Sequence, residues 1–185
     1  MIKRLFDITV SLVLLLLAAP LMILVTILIR VESNGPAIFR QERIGQYGQI
    51  FTIYKFRSMK SDAESQGPHF TTSNDPRITR SGRFIRKTSI DELPQLFNVL
   101  MGDMSLVGPR PNVPKQRSEY TEQEWNKRNS VRPGITGLAQ AVFRSAATPE
   151  QRTRLDLEYV DKVSMFFDIW IILLTIKQVV YKGGN

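Results

Sequence analysis

The sequence predicts an α+β fold: mainly helical, with one small β-hairpin, an N-terminal re-entrant helix-break-helix hairpin in the membrane, and interfacial amphipathic helices. Three observations predict it. Ile8 to Ile29 is an unbroken apolar run, two short β-branched and aromatic runs flank a glycine-containing loop, and apolar residues recur at helical spacing further on. Residues 1–30 are read as the membrane element and 31–185 as one membrane-associated domain, because 43% hydrophobic and 23% charged residues supply enough apolar material for a single core. The chain has no cysteine, which excludes disulfides, thiolate zinc sites and a Cys nucleophile, and its lone His69 cannot build a multi-histidine metal centre.

Ile8–Ile29 spans 22 residues without a charge, between Asp7 and Arg30. At ~1.5 Å per residue it reaches ~33 Å, matching a hydrocarbon core of ~30 Å. It exceeds the ~7–15-residue apolar core of a cleaved leader, and no convincing small-x-small cleavage site follows it. Pro20 removes a helical hydrogen bond and divides the run into Ile8–Ala19 and Leu21–Ile29. Lys3 and Arg4 precede the run while Arg30, Arg40 and Arg43 follow it, and both flanks prefer the cytoplasm. A hairpin returning to the same face reconciles these charges, with an ordinary kinked span as the alternative.

Ala37–Ile44 and Ile50–Met59 are read as strands of a hairpin across Gly45–Gln49. Ser61–Asp75 is a polar loop holding Gly67-Pro68 and a solvated His69. Ile90, Leu93, Leu96, Phe97 and Leu100 predict a helix over Ile90–Met101, stopped by Gly102. Gly108–Pro111 and Arg132–Gly137 cannot sustain a helix and are loops of the kind that carry function. Glu119–Asn129 and Glu150–Lys162 read as solvated surface helices. Val163–Tyr181 reads as an aromatic-rich amphipathic helix, lying in the membrane interface or packed into the core.

The chain carries +8 at pH 7, of which +6 lies outside residues 1–30, so an anionic partner is expected. Arg77, Arg80, Arg83, Arg86 and Lys87 form a cationic run immediately before Asp91-Glu92. Ser89 and Glu92 match a capping box, so one reading makes these acids helix starters only. The other reading is chemical. Arginines beside a helix start attract phosphate and keep a carboxylate ionised, and paired acids suit a hard cation such as Mg²⁺. An ionised Asp can then attack phosphorus and form an aspartyl-phosphate. No Walker or Gly-x-Gly-x-x-Gly loop is present, so ordinary nucleotide folds lose support.

Several blocks together carry a resemblance: Lys3-Arg4-x-Phe6-Asp7, Phe39-x-Gln41-x-Arg43-x-Gly45, Tyr54-Lys55-Phe56-Arg57-Ser58-Met59, Gly82 to Asn98 with Asp91-Glu92-Leu93-Pro94-Gln95, Gly102-Asp103-Met104-Ser105, Gly108-Pro109-Arg110-Pro111 and Arg132 to Gly137. Over essentially the whole chain, in order, the sequence resembles the bacterial sugar transferases, the monotopic polyprenol-phosphate phosphoglycosyl transferases, in their minimal catalytic form. The resemblance implies transfer of a sugar phosphate from a UDP-sugar to undecaprenyl phosphate, with release of UMP, at the cytoplasmic face of the bacterial inner membrane. It implies Asp91 as nucleophile, Asp91 and Glu92 as Mg²⁺ ligands, and Lys55, Arg86, Arg110, Arg132 and Asp168 as substrate or phosphate partners. It also favours the re-entrant hairpin, although the family's Ser-Pro break is Ala19-Pro20 here. Membrane lipids are expected partners, a homo-oligomer is compatible, and nucleic acid is not expected. The reading from another class is a membrane-tethered module that binds anionic lipid or nucleic acid without chemistry.

Overall fold

The computed structural model describes residues 1–60, 63, 75–144 and 146–182. The reading of His69, and most of the polar loop around it, lies outside the described residues. Helix α1 (Ile2–Glu32) runs through Pro20 as one element, which corrects the expected helix-break-helix. Pro20 has no N–H to give and its ring crowds the carbonyl one turn earlier, which can bend a helix without ending it; its fixed φ is helical, and it lies on the exposed side. Leu16, Leu17, Ile23, Leu24 and Leu28 are also exposed, leaving an apolar face long enough to cross a membrane.

Both ends of α1 are nonetheless fastened to the same domain. Asp7, 2% exposed, accepts from Ser105 Oγ at 2.9 Å and from the Leu106 N–H at 3.2 Å. Arg4 donates to the carbonyls of Val99 (2.6 Å) and Leu100 (3.1 Å), and Lys3 pairs with Asp168. At the other end Glu32 accepts from the N–H groups of Arg80 (2.7 Å) and Ser81 (3.0 Å), capping the next helix.

Strands β1 (Ile38–Ile44) and β2 (Ile50–Phe56) form the expected antiparallel hairpin, in register from Ile38↔Phe56 to Ile44↔Ile50. The second strand ends at Phe56 rather than Met59, which instead bridges to Ile78. Helix α2 (Arg80–Lys87) occupies the cationic run, which the sequence left unassigned. The expected helix over Ile90–Met101 divides into a 3-10 turn, Ile90–Glu92, and α3 (Gln95–Met101). Pro94 between them has no N–H to continue the ladder, and Gly102, at φ 101°, ends α3 as its composition suggests.

Strand β3 (Ser105–Val107) pairs in parallel with β4 (Gly134–Thr136), a sheet too short to leave a periodic signal. Between β3 and β4 lies α4 (Glu122–Arg128), and α5 (Leu138–Phe143), α6 (Pro149–Lys162) and α7 (Met165–Lys182) follow. The main core joins Leu15 of α1, Leu96, Leu106, Leu138, Tyr159 and Ile171. Helix α7 packs into the core on one face, where Asp168 and Ile171 are fully buried, and leaves the apolar Phe166, Trp170, Leu173 and Ile176 exposed on another. The solvated reading of α4 and α6 needs correction, because Arg128 and Asp156 are both buried and paired at 2.8 Å between these helices.

Candidate active site

The capping box expected of Ser89 and Glu92 does not form. Ser89 adopts φ 58° and ψ 16°, a left-handed conformation that costs a non-glycine residue about 1 kcal/mol, and its side chain caps nothing. The Glu92 carboxylate points elsewhere: its Oε1 accepts from Lys55 Nζ at 2.8 Å and from Arg110 at 3.0 Å. The chain thus reverses after α2 and presents Asp91 and Glu92 to cations from β2 and from the Pro-Arg-Pro loop.

Each cation is positioned by a separate device. Asn98, fully buried on α3, donates to the Thr52 carbonyl (2.7 Å) and accepts from the Tyr54 N–H (3.0 Å), so it docks the free edge of β2 and fixes Lys55 beside Glu92. The Arg110 loop is clamped against β4: the Gly134 N–H donates to the Pro109 carbonyl and the Gly108 N–H to the Thr136 carbonyl. A Cβ on Gly108 would lie 2.3 Å from the Arg132 carbonyl oxygen, so only glycine permits that approach. From behind, buried Arg128 donates to the Arg110 carbonyl at 2.5 Å while Asp156 neutralises it.

The two carboxyls respond oppositely to this setting. Burial, followed by the adjacent Glu92 charge, raises Asp91 to about 6, and Lys55, Arg86 and Arg110 only partly oppose that rise. Burial would raise Glu92 as well, but Lys55 and Arg110 outweigh it and hold the group at about 2. Burial pushes the Lys55 ammonium down, and Glu92 raises the Arg110 guanidinium. Among the described residues the Asp91 carboxyl accepts no hydrogen bond. It is consequently a half-buried base with its lone pairs unused among these residues.

A cavity of about 530 Å³ opens over this pair. Lys55, Arg86, Arg110, Arg144 and Arg152 line it and give it strong positive character. Apolar residues also line it, among them Leu14 of α1 and Ile172 and Val179 of α7. Of the residues singled out from sequence, Lys55, Arg86, Asp91, Glu92 and Arg110 converge here, and Arg144, Arg152 and Gln140 join them unforeseen. Arg144 and Arg152 carry no local motif signal; they reach the cavity only because α5 and α6 fold against it.

Two expected substrate partners stand apart. Arg132 donates through Nε to the Gly102 carbonyl at 2.9 Å and does not line the cavity. Asp168 is fully buried, held by Lys3 and by the Tyr159 hydroxyl at 2.8 Å, so its observed work is to join α1 to α7. No three carboxylate or imidazole groups converge among the described residues. A divalent cation would therefore rely on Asp91 and on Glu92 Oε2, neither of which is hydrogen-bonded, with other oxygens from phosphate or water. That donor set fits Mg²⁺.

Comparison with known proteins agrees with this geometry. A family model described as bacterial sugar transferase matches residues 1–182. Undecaprenyl-phosphate glucose phosphotransferase of Komagataeibacter xylinus is 46% identical over 193 residues, covering 97% of this chain and 36% of that protein. The uncharacterized sugar transferase EpsL of Bacillus subtilis is 43% identical over 183 residues, covering 99% of this chain and 89% of that protein. UDP-glucose:undecaprenyl-phosphate glucose-1-phosphate transferase of Escherichia coli is 41% identical over 190 residues, 99% of this chain and 40% of that protein. The chain thus spans well under half the length of the first and third of these relatives and nearly all of the second. With the match running from the first residue through the end of α7 and enclosing the whole acidic-cationic cavity, the chain belongs to the bacterial sugar transferase family.

Proposed function

We propose that this chain is a phosphoglycosyl transferase that moves a sugar-1-phosphate from a UDP-sugar to undecaprenyl phosphate. The observation that carries the reading is Asp91: a half-buried carboxylate that accepts no hydrogen bond among the described residues, in a cavity lined both by cations and by apolar residues of α1 and α7. A donor too polar for the bilayer and an acceptor too apolar to leave it can meet only in such a place.

In the first step an Asp91 oxygen attacks the β-phosphorus of the donor. An O–P bond forms, the bond to the bridging oxygen breaks, and its electron pair leaves on UMP. In the second step a phosphate oxygen of undecaprenyl phosphate attacks the same phosphorus, and the Asp91 carboxylate departs unchanged. Lys55 and Arg110 orient Glu92 and, with Arg86, neutralise the phosphoryl oxygens. The raised basicity of Asp91 makes it a better nucleophile than a solvated carboxylate, while remaining ionised near neutral pH. Mg²⁺, held by Asp91 and Glu92, would screen the charge of the diphosphate.

The membrane topology belongs to the same proposal. A straight 31-residue helix would be ~46 Å long, yet Lys3, Arg4 and Asp7 at one end and Glu32 at the other all bond to the one domain. This supports an α1 that enters and leaves on the cytoplasmic face without crossing. The test is UMP release from a panel of UDP-sugars in nanodiscs with undecaprenyl phosphate and Mg²⁺, beside trapping of a labelled phosphosugar on the protein without acceptor. Wild type should release UMP and retain label, and Asp91→Asn should do neither. Equal release by Asp91→Asn removes Asp91 as nucleophile. Salt-sensitive anion binding without release from any donor points to a binding module instead.

A further inference from the structure

Helix α2 carries a charged face that the proposed reaction does not use. Its Ser81, Gly82 and Ile85 are buried, and its Arg86 lines the large cavity. The other positions, Arg80, Arg83, Phe84 and Lys87, recur at i, i+3, i+4 and i+7 and are all exposed, so they form one outward stripe. Among the described residues none of these three cations makes an ion pair or a side-chain hydrogen bond, and the sequence has no acid between Asp75 and Asp91. The helix cannot roll to hide the stripe. A Cβ on Gly82 would lie 2.0 Å from the Ser58 carbonyl oxygen, so the opposite face is held in close backbone contact with the domain.

Two contacts set this stripe beside the end of the apolar helix. Glu32, the last residue of α1, accepts from the N–H groups of Arg80 and Ser81 and from the Ser81 hydroxyl, so the nearest carboxylate is already engaged. Ile85 is buried in one cluster with Val25 and Ile29 of α1. Packed helices lie about 8–10 Å apart, so α2 flanks α1 where its uncharged run ends at Ile29 and the exposed Arg30 follows. Leu28 and Val31, apolar and exposed at the same place, belong in lipid, which puts α2 at the level of the headgroups. A ring among cations suits that level. Phe84, 58% exposed, reaches the acyl boundary while the long basic side chains meet phosphate. A nucleic acid or an acidic protein would take the cations but has no use for an exposed ring beside an apolar helix.

We propose that the outer face of α2 docks on anionic phospholipid headgroups, with Arg80, Arg83 and Lys87 on the phosphates and Phe84 inserted between them. The inference rests on the membrane topology proposed above and not on the reaction. A zwitterionic lipid offsets its phosphate with its own ammonium, so three unpaired cations favour a surface of net negative charge. Arg86 of the same eight-residue helix lines the large cavity, so docking also fixes that part of the cavity wall relative to the lipid phosphates.

The cysteine-free chain permits a direct test. Phe84→Cys in the full chain carries an NBD fluorophore, and nitroxide-bearing lipids quench it where it touches the bilayer. Nanodiscs contain phosphatidylcholine alone or mixed with phosphatidylglycerol. The measurement is repeated with Arg80→Gln, Arg83→Gln and Lys87→Gln combined, and in about 1 M NaCl, where the Debye length is about 3 Å. Quenching should be about twofold stronger with phosphatidylglycerol, and the increment should disappear in the triple variant and in salt. A thermal melt checks that the triple variant, altered only at exposed positions, keeps its fold. No quenching in either lipid overturns the proposal and leaves the stripe in water, open to a soluble anionic partner. Equal quenching in both lipids, or an increment that survives in the triple variant, overturns the headgroup assignment. If thiols at Ile2→Cys and Pro36→Cys react from opposite sides, the topology falls and the proposal with it; if they react from one side and the label stays unquenched, the docking face alone falls.

Discussion

Replacing Glu92 with Gln tests the electrostatic core of the site. In the wild type Asp91 stands at about 6 rather than 3.8, a rise produced by burial and then by the Glu92 charge. At pH 5 a group titrating at about 6 is roughly one-tenth ionised, so nucleophilic activity there should be about a tenth of that at pH 8. Glu92→Gln removes the neighbouring charge, keeps the side chain's volume, and frees Lys55 and Arg110 to act on Asp91. The midpoint should then fall between 3.8 and about 6, and the ionised fraction at pH 5 should rise severalfold. Because the variant also loses a proposed metal ligand, the measurement is a titration of the Asp91 carboxyl by ¹³C NMR, with Asp91→Asn supplying the assignment. A midpoint that stays in place or moves upward would refute the account of how these two acids share the site.

Four other outcomes follow from the same structure. Asp91→Asn should add on the order of 1–3 kcal/mol of stability at pH 7 and so raise Tm there, since a raised carboxyl destabilises the fold progressively as pH rises from 3.8 through about 6; the gain should vanish below pH 4, and a lower Tm at pH 7 would contradict it. Asp156→Ala leaves Arg128 buried and uncompensated and should cost about 3–5 kcal/mol in denaturant unfolding, because both partners are only 2% exposed. Asp168→Ala should cost less, about 2–3 kcal/mol, because Lys3 is 32% exposed and can reach water; losing activity while keeping wild-type stability would return Asp168 to substrate binding. Finally, the cysteine-free sequence allows single-thiol labelling: Ile2→Cys and Pro36→Cys should both react from the cytoplasmic side of inverted vesicles, and labelling from opposite sides would make α1 a true span.

What could be read from residues alone was what depends on short stretches of chain. The hairpin announced itself through β-branched runs around Gly45 and Gly48, α1 through its unbroken apolar length, and the stop at Gly102 through a residue free to adopt positive φ. The Asp91-Glu92 pair and its cations were likewise visible because charges cluster in sequence and because the motifs around them are those of a known family.

Tertiary structure decided the rest. Local pattern made Ser89–Glu92 a capping box, but two cations distant in sequence, Lys55 and Arg110, offered Glu92 a stronger partner than a backbone N–H. Local pattern also made Arg128 and Asp156 surface charges, and the family resemblance placed Asp168 among substrate partners, whereas helix packing buried all three. The sequence by itself determined which groups could do chemistry and that the chain meets a membrane, since charge, side-chain type and apolar length are local properties. Only the fold decided that Asp91 stays free while Glu92 is neutralised, and that Arg144 and Arg152 reach the cavity, because each depends on electrostatic and packing contacts between segments far apart in the chain.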